Sequence, residues 1–197
     1  MDWKKKSIIL IIVLFSFNSC GILMTQKRHF NTYKSPVLQE GDKLPFKTNG
    51  VYVEKNSHFN EVFYFYTNGL VKNSGLHSDF WDNPKEIAKK VEDIYIFSSK
   101  EFWGDYTIKD DTIYIQIFNH NTQFLYKRWI FEWKGVIKND TTIEMFSEYS
   151  YFGKDQFIHK PVIYGFYPTE IKPDSTKAWF NNKKWFKENL HESRKPK

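Results

Sequence analysis

Residues able to do chemistry are few in this chain and widely spaced. Its six histidines, His29, His58, His77, His120, His159 and His191, never fall in a metal-ligand spacing such as His-Glu-x-x-His. The densest group is His77-Ser-Asp79-Phe-Trp-Asp82, whose imidazole and two carboxylates offer a metal three ligands. A polar loop ahead of a helix gives the same run and is the plainer reading. Glu144 and Glu148 stand four apart in a stretch expected to be a strand, so both should share one face, where paired carboxylates can exchange a proton. A solvent-facing ladder uses the same two residues. Asn139-Asp-Thr141 has the glycosylation pattern but reads as a plain turn. There is no Gly-rich phosphate loop and no serine nucleophile elbow. The expectation is therefore no catalytic residue, no metal site, no cofactor and no enzymatic activity. What remains is Cys20, the only thiol.

The surroundings of Cys20 explain it best. Lys4, Lys5 and Lys6 precede an apolar run from Ile8 to Phe17, followed by Asn18-Ser19-Cys20-Gly21. A basic start, an apolar stretch and small residues at its end make an export leader. The run is far shorter than the roughly 20 residues needed to span a bilayer. It also lacks the polar face of a core helix. Residues 17–20 resemble the lipobox of bacterial lipoproteins. That resemblance implies a diacylglyceryl group on the Cys20 thiol, removal of residues 1–19, and a mature chain that begins at the lipidated cysteine. Gly21, rather than Asp, leans the sorting towards the outer membrane, facing the periplasm. The absence of any other cysteine suits an oxidising compartment, where stray thiols are a hazard. Each buried methylene contributes about 0.8 kcal/mol, so two or three acyl chains hold a domain on a membrane.

The formal charge of +6 is unevenly placed. Lys4, Lys5 and Lys6 carry part of it, and a tail with Lys172, Lys177, Lys183, Lys184, Lys187, Arg194, Lys195 and Lys197 carries most of the rest. Residues 20–171 are close to neutral, so nucleic acid is not an expected partner. The basic tail reads as a solvated helix face, or one that touches anionic lipid. Aromatic residues make up 19% of the chain, which favours strands. Four segments follow: a leader (1–19), a lipidated N-terminus and flexible tether (20–48), a β domain (49–170) and a basic aromatic helix and tail (171–197).

Strand patterns run over residues 50–54, 61–67, 70–73, 103–108, 112–118, 123–133, 135–138, 141–148 and 161–167. Asn68-Gly69 between apolar runs is the strongest hairpin signal, because both positions tolerate positive φ. Lys109-Asp110-Asp111 and Asn139-Asp140 mark further turns. Asn83-Pro84 opens a short helix to Glu92 with Ile87 and Val91 on one side. In the tail, Ser175 or Asp174 can cap a helix that aligns Trp179, Phe186 and Leu190. About eight short strands joined by tight turns predict an antiparallel up-and-down barrel.

The units Gly104-Asp105-Tyr-Thr-Ile108 with Asp111-Thr-Ile-Tyr-Ile115, and Gly135-Val-Ile-Lys-Asn-Asp140-Thr-Thr-Ile143, resemble the strand-turn-strand signature of small lipocalin-like bacterial lipoproteins. The resemblance spans residues 50–167 and implies a barrel; it says little about a ligand. Rows such as Phe63/Phe65, Ile113/Ile115/Ile117 and Phe124/Tyr126 would line either a lipid-sized cavity or a filled core. Two functions follow as expectations. One is a monomeric binding module for a small hydrophobic ligand. The other is a structural lipoprotein with a filled barrel, docking a protein or glycan through a surface near Trp179 and Trp185.

Overall fold

The computed structural model describes residues 29–32, 43–55, 60–76, 102–120, 128–151, 155–169 and 172–193. Eight strands follow one another: β1 (Gly50–Glu54), β2 (Asn60–Phe65), β3 (Leu70–Leu76), β4 (Trp103–Lys109), β5 (Thr112–His120), β6 (Arg128–Asn139), β7 (Thr142–Ser150) and β8 (Asp155–Pro168). Each pairs antiparallel with its neighbours in sequence, and β1 pairs with β8, placing Val51 opposite Tyr167. The sheet is thus a closed, mainly β, up-and-down barrel, as expected, and is compatible with a lipocalin-like domain. Closure leaves no edge strand to pair with another chain. Among the described residues no helix is long and apolar enough to cross a membrane. Cys20 with its leader, the His77–Asp82 run, the helix expected at 83–92, and Phe124 and Tyr126 lie outside the described residues.

Two strand expectations change. The sequence pattern divides 123–133 and 135–138 into separate strands, but from Arg128 onwards they form the single strand β6. Gly135 lets it continue: a Cβ there would lie 2.6 Å from the Met145 sulfur. β8 also begins earlier than Pro161. That proline sits where the β7–β8 register jumps from Met145↔Val162 to Ser147↔Ile158, so its missing N–H breaks no regular ladder bond.

The first hairpin forms where Asn-Gly predicted it, with a different turn. Tyr66 N–H donates to Leu70 O (2.9 Å) and Gly69 N–H to Tyr66 O (3.1 Å), enclosing three turn residues. Only Gly69 takes a positive φ, 85°. Asn68 keeps an ordinary φ, and its side-chain oxygen accepts from Leu70 N–H at 3.2 Å. In the β4–β5 turn Asp110 takes φ 56°.

Strand alternation sorts side chains into two cores. The inner core joins Tyr52, Phe63, Phe65, Val71, Tyr106, Ile113, Ile115, Ile117, Trp133, Ile143, Met145 and Tyr164. Its rings meet edge to face: Phe63–Trp133 at 5.7 Å, Phe63–Tyr164 at 5.2 Å and Phe65–Tyr106 at 5.2 Å. Such pairs add about 0.5–1.5 kcal/mol beyond the area they bury. At the end with the tight turns Phe46, 3% exposed, plugs the barrel against Tyr52, Phe65 and Tyr106. Beside it Lys172 Nζ donates to Thr48 O (2.6 Å) and Phe65 O (2.7 Å), over the Tyr66 ring.

The outer core lies against the wall of β3 to β6, where Leu70, Trp103, Phe118 and Ile130 meet Phe30, Ala178, Phe180 and Phe186. Phe30 and Phe46 both fall in the segment expected to be a flexible tether, yet both are buried. Single aromatic residues in a polar stretch create no periodicity, so nothing local marks them. The tail is also not one helix. A 3-10 turn at Ser175–Lys177, capped by Asp174, is followed by turns through residues 179–182, and then by α1 (Lys184–Ser193). Trp179 is therefore not on the α1 face. It packs on Phe118 and under the Arg128 guanidinium, 4.0 Å from the ring centroid.

Candidate binding site at the polar end of the barrel

The two ends of the barrel differ chemically. The end with the turns at 66–69, 110–111 and 140–141 is apolar inside and is plugged by Phe46. At the opposite end β1 finishes at Glu54, β2 begins at Asn60, β3 finishes at Leu76 and β7 finishes at Ser150. There the inward positions turn polar. Glu54 follows inward Tyr52 by two residues, Glu61 precedes inward Phe63 by two, and Asn73 follows inward Val71 by two. Tyr164, on β8, stands directly opposite Glu54.

Glu148 joins them because of a bulge. Met145 pairs with Gly135 and Ser147 with Lys134, so Phe146 is an extra residue on β7. The extra residue reverses the alternation. Glu148 then stands opposite inward-facing Trp133, whereas Glu144, opposite Val136, points out and pairs with Lys138 at 2.8 Å. The expectation that Glu144 and Glu148 share a face is thus corrected. No acid–base pair joins them.

Glu61 is the centre of the group. Tyr164 O–H donates to its carboxylate at 3.2 Å. Burial, and next the Glu148 charge, raise its carboxyl from the ordinary 4.5 to about 7; the tyrosine bond opposes this, and Glu54 adds to the rise. Near neutrality Glu61 therefore exists both as carboxylate and as carboxylic acid. Burial and the same carboxyl push the Tyr164 hydroxyl well above its usual range, so it stays a proton donor. Glu61 N–H approaches Glu54 Oε2 at 3.4 Å. Asn73, 7% exposed, has a side-chain amide N–H group with no hydrogen-bond partner among the described residues. The position on β3 opposite Glu61 is Gly75. Phe63, Trp133 and Tyr164 supply aromatic walls.

A second buried polar group lies outside the barrel wall and has another purpose. Gln116 Oε1 accepts from Asn31 N–H (2.7 Å) and Thr32 N–H (3.1 Å), and its Nε2 donates to Glu132 at 2.8 Å. Tyr151 O–H also donates to Glu132, at 3.2 Å. This network straps residues 29–32 over the outer core. Asp105, 1% exposed, lies beside it, and burial pushes its carboxyl well above the carboxylate range. At the plugged end, a shallow depression of about 390 Å³ is lined by Leu44, Phe46, Lys47 and Asp140. Its Lys47 and Asp140 pair with each other at 3.1 Å.

Among the described residues no group of three or more His, Cys, Asp or Glu is arranged to hold a metal ion. His29 stacks on Tyr151 at 4.7 Å between ring centroids, within the strap. Of the rows expected to face inward, Phe63/Phe65 and Ile113/Ile115/Ile117 do so and touch within one core. Sequence reasoning missed Glu61, Tyr164 and Asn73. The available signal was a polar residue at the inward phase of an otherwise apolar alternation, as in Glu61-Val-Phe63-Tyr-Phe65.

Comparison with protein-family models, with curated proteins and with solved structures gave no match.

Proposed function

We propose that the chain is a non-catalytic binding module, carried on the bacterial cell envelope by a lipid on Cys20, that holds one small, largely apolar ligand. The ligand enters at the Glu61 end of the barrel. One observation carries this reading: the inner lining changes from interlocked rings to Glu54, Glu61, Asn73, Glu148 and Tyr164 at one end only. A barrel that merely filled its own interior would gain nothing from Asn73, whose amide N–H group is buried without a partner among the described residues. Such a group costs about 1–3 kcal/mol. The rings in the middle and Phe46 at the far end occupy the remaining inner space among the described residues, so the ligand is smaller than a long acyl chain.

The alternative, a filled barrel docking through Trp179 and Trp185, has less support. Both rings pack against the outer core with Phe118 and Phe180. The basic tail is thus used to cover the barrel wall. The reading also takes the protein to be a monomer with no nucleic-acid partner.

The test is native mass spectrometry of the full chain, purified gently in a mild detergent, followed by organic extraction. A stoichiometric co-purifying small molecule supports the binding module. A clean apo mass, with no response to a metabolite panel, overturns it in favour of the docking role. For the anchor, Cys20→Ser should leave an uncleaved precursor that fails to partition into detergent, and normal processing of that variant would end the lipoprotein reading.

A further inference from the structure

The polar end of the barrel has the chemistry of a receptor for a positively charged head group. Resting on the binding reading above, we infer that the ligand is an organic ammonium ion with an apolar, preferably aromatic, body. Its N–H groups meet Glu61 while its body lies against the edge of Trp133, which keeps 7% of its surface accessible, with fully buried Phe63 behind it.

Three independent observations converge on this class. First, the inward titratable positions described at this end are acidic or phenolic: Glu54, Glu61, Glu148 and Tyr164, with Asp155 at the register position opposite Ser150. Two described lysines near the rim face elsewhere: Lys134 Nζ lies 5.7 Å from the Tyr114 ring and 3.5 Å from Glu132, on the outer face, and the Lys55 side chain lies over outward Gly165. A carboxylate or phosphate ligand would meet like charge in a half-buried site, whereas an ammonium would offset it. Second, the carboxyls sit among aromatic faces. Trp133 is directly opposite Glu148, and Phe63 touches both Trp133 and Tyr164. Ring faces attract cations, and most strongly where water is displaced. Third, the Asn73 amide N–H group has no partner among the described residues, is more than nine-tenths buried, and is on the same inner face as Glu61. As diagonal neighbours across β2 and β3, the two residues are about 7–8 Å apart. A donor on that face without a described partner asks for an acceptor on the ligand, such as a hydroxyl or carbonyl oxygen.

The group needs no metal. Ammonium recognition uses single carboxylate oxygens, a hydroxyl and ring faces at ordinary hydrogen-bond spacing. Tyr164 fixes one oxygen of Glu61, and its O–H leaves the other oxygen for the ligand.

The experiment compares three probes of matched shape on the full chain in mild non-ionic detergent at pH 7.5. They are 2-phenylethylammonium, 2-phenylethanol and 3-phenylpropanoate, followed by NMR shifts of the Trp133 indole. The ammonium should bind tightest, by roughly tenfold or more over the alcohol, as charged hydrogen bonds allow. Glu61→Gln should erase that preference, so that the ammonium no longer binds more tightly than the alcohol. Should Glu61→Gln fail to fold, the wild-type Glu61 titration serves instead: the ammonium should move its midpoint below about 7, and the alcohol should not. Equal or tighter binding of the alcohol or the carboxylate overturns the ammonium class and leaves the binding module standing. If no probe moves Trp133, both readings fall.

Discussion

Glu61→Gln also isolates what the buried carboxyl costs the fold. In the folded protein burial and the Glu148 charge hold this carboxyl at about 7, against 4.5 in the open chain. The folded state therefore binds the proton more tightly than the unfolded state. Stability is highest below pH 4.5 as far as this group is concerned, and falls as pH rises through about 7. At 1.36 kcal/mol per pH unit, the full loss is about 3 kcal/mol once Glu61 is ionised. Gln keeps the shape, and its side-chain oxygen still accepts from Tyr164 O–H, while the ionisation is gone. The variant should match the wild type at pH 4.5 and melt higher at pH 8.5. For a chain of this length about 3 kcal/mol corresponds to roughly 6–12 °C in Tm. Thermal melts by circular dichroism at half-unit steps from pH 4 to 9 measure the two curves, and ligand-free protein is needed, since a bound cation would stabilise the ionised wild type. Parallel curves, with no divergence between pH 5 and 8, would refute the placement of Glu61 in a half-buried, like-charged setting.

Other perturbations test other parts of the structure. Phe63→Ala removes the ring that touches Phe65, Trp133 and Tyr164, and should cost about 3–5 kcal/mol in urea unfolding. Gly69→Val forces a branched side chain into φ 85° and should destabilise by at least 1–2 kcal/mol, roughly, whereas Asn68→Val, at an ordinary φ, should cost less; equal losses would argue against the three-residue turn. Asp105→Asn should raise stability at neutral pH and flatten its decline above pH 4, because burial raises this carboxyl in the folded state and so favours its protonated form there; an unaltered pH profile would contradict its burial. Gln116→Ala should release residues 29–32, seen as faster hydrogen exchange at Asn31 and Thr32 with little change in the inner core.

Much of the barrel was legible in the sequence. Alternating runs such as Thr112-Ile-Tyr-Ile-Gln-Ile-Phe118 determine strand and phase together, because a period of two is a property of neighbouring residues. Turn positions were equally local, since Asn68-Gly69 and Asp110 answer to backbone sterics alone. The charge map also needed no structure: the near-neutral body and the basic tail are readable from composition. The site was not. Tertiary structure decided it through contacts between residues far apart in the chain. Closure of β1 on β8 brings Glu54 opposite Tyr164, and the extra residue Phe146 turns Glu148 inward while leaving Glu144 outside. Phe30 and Phe46 likewise became core only when a distant wall was present to receive them. Local sequence determines which backbone conformation is cheap. Which side chain is buried, and beside which charge, depends on long-range pairing energies that no single segment carries.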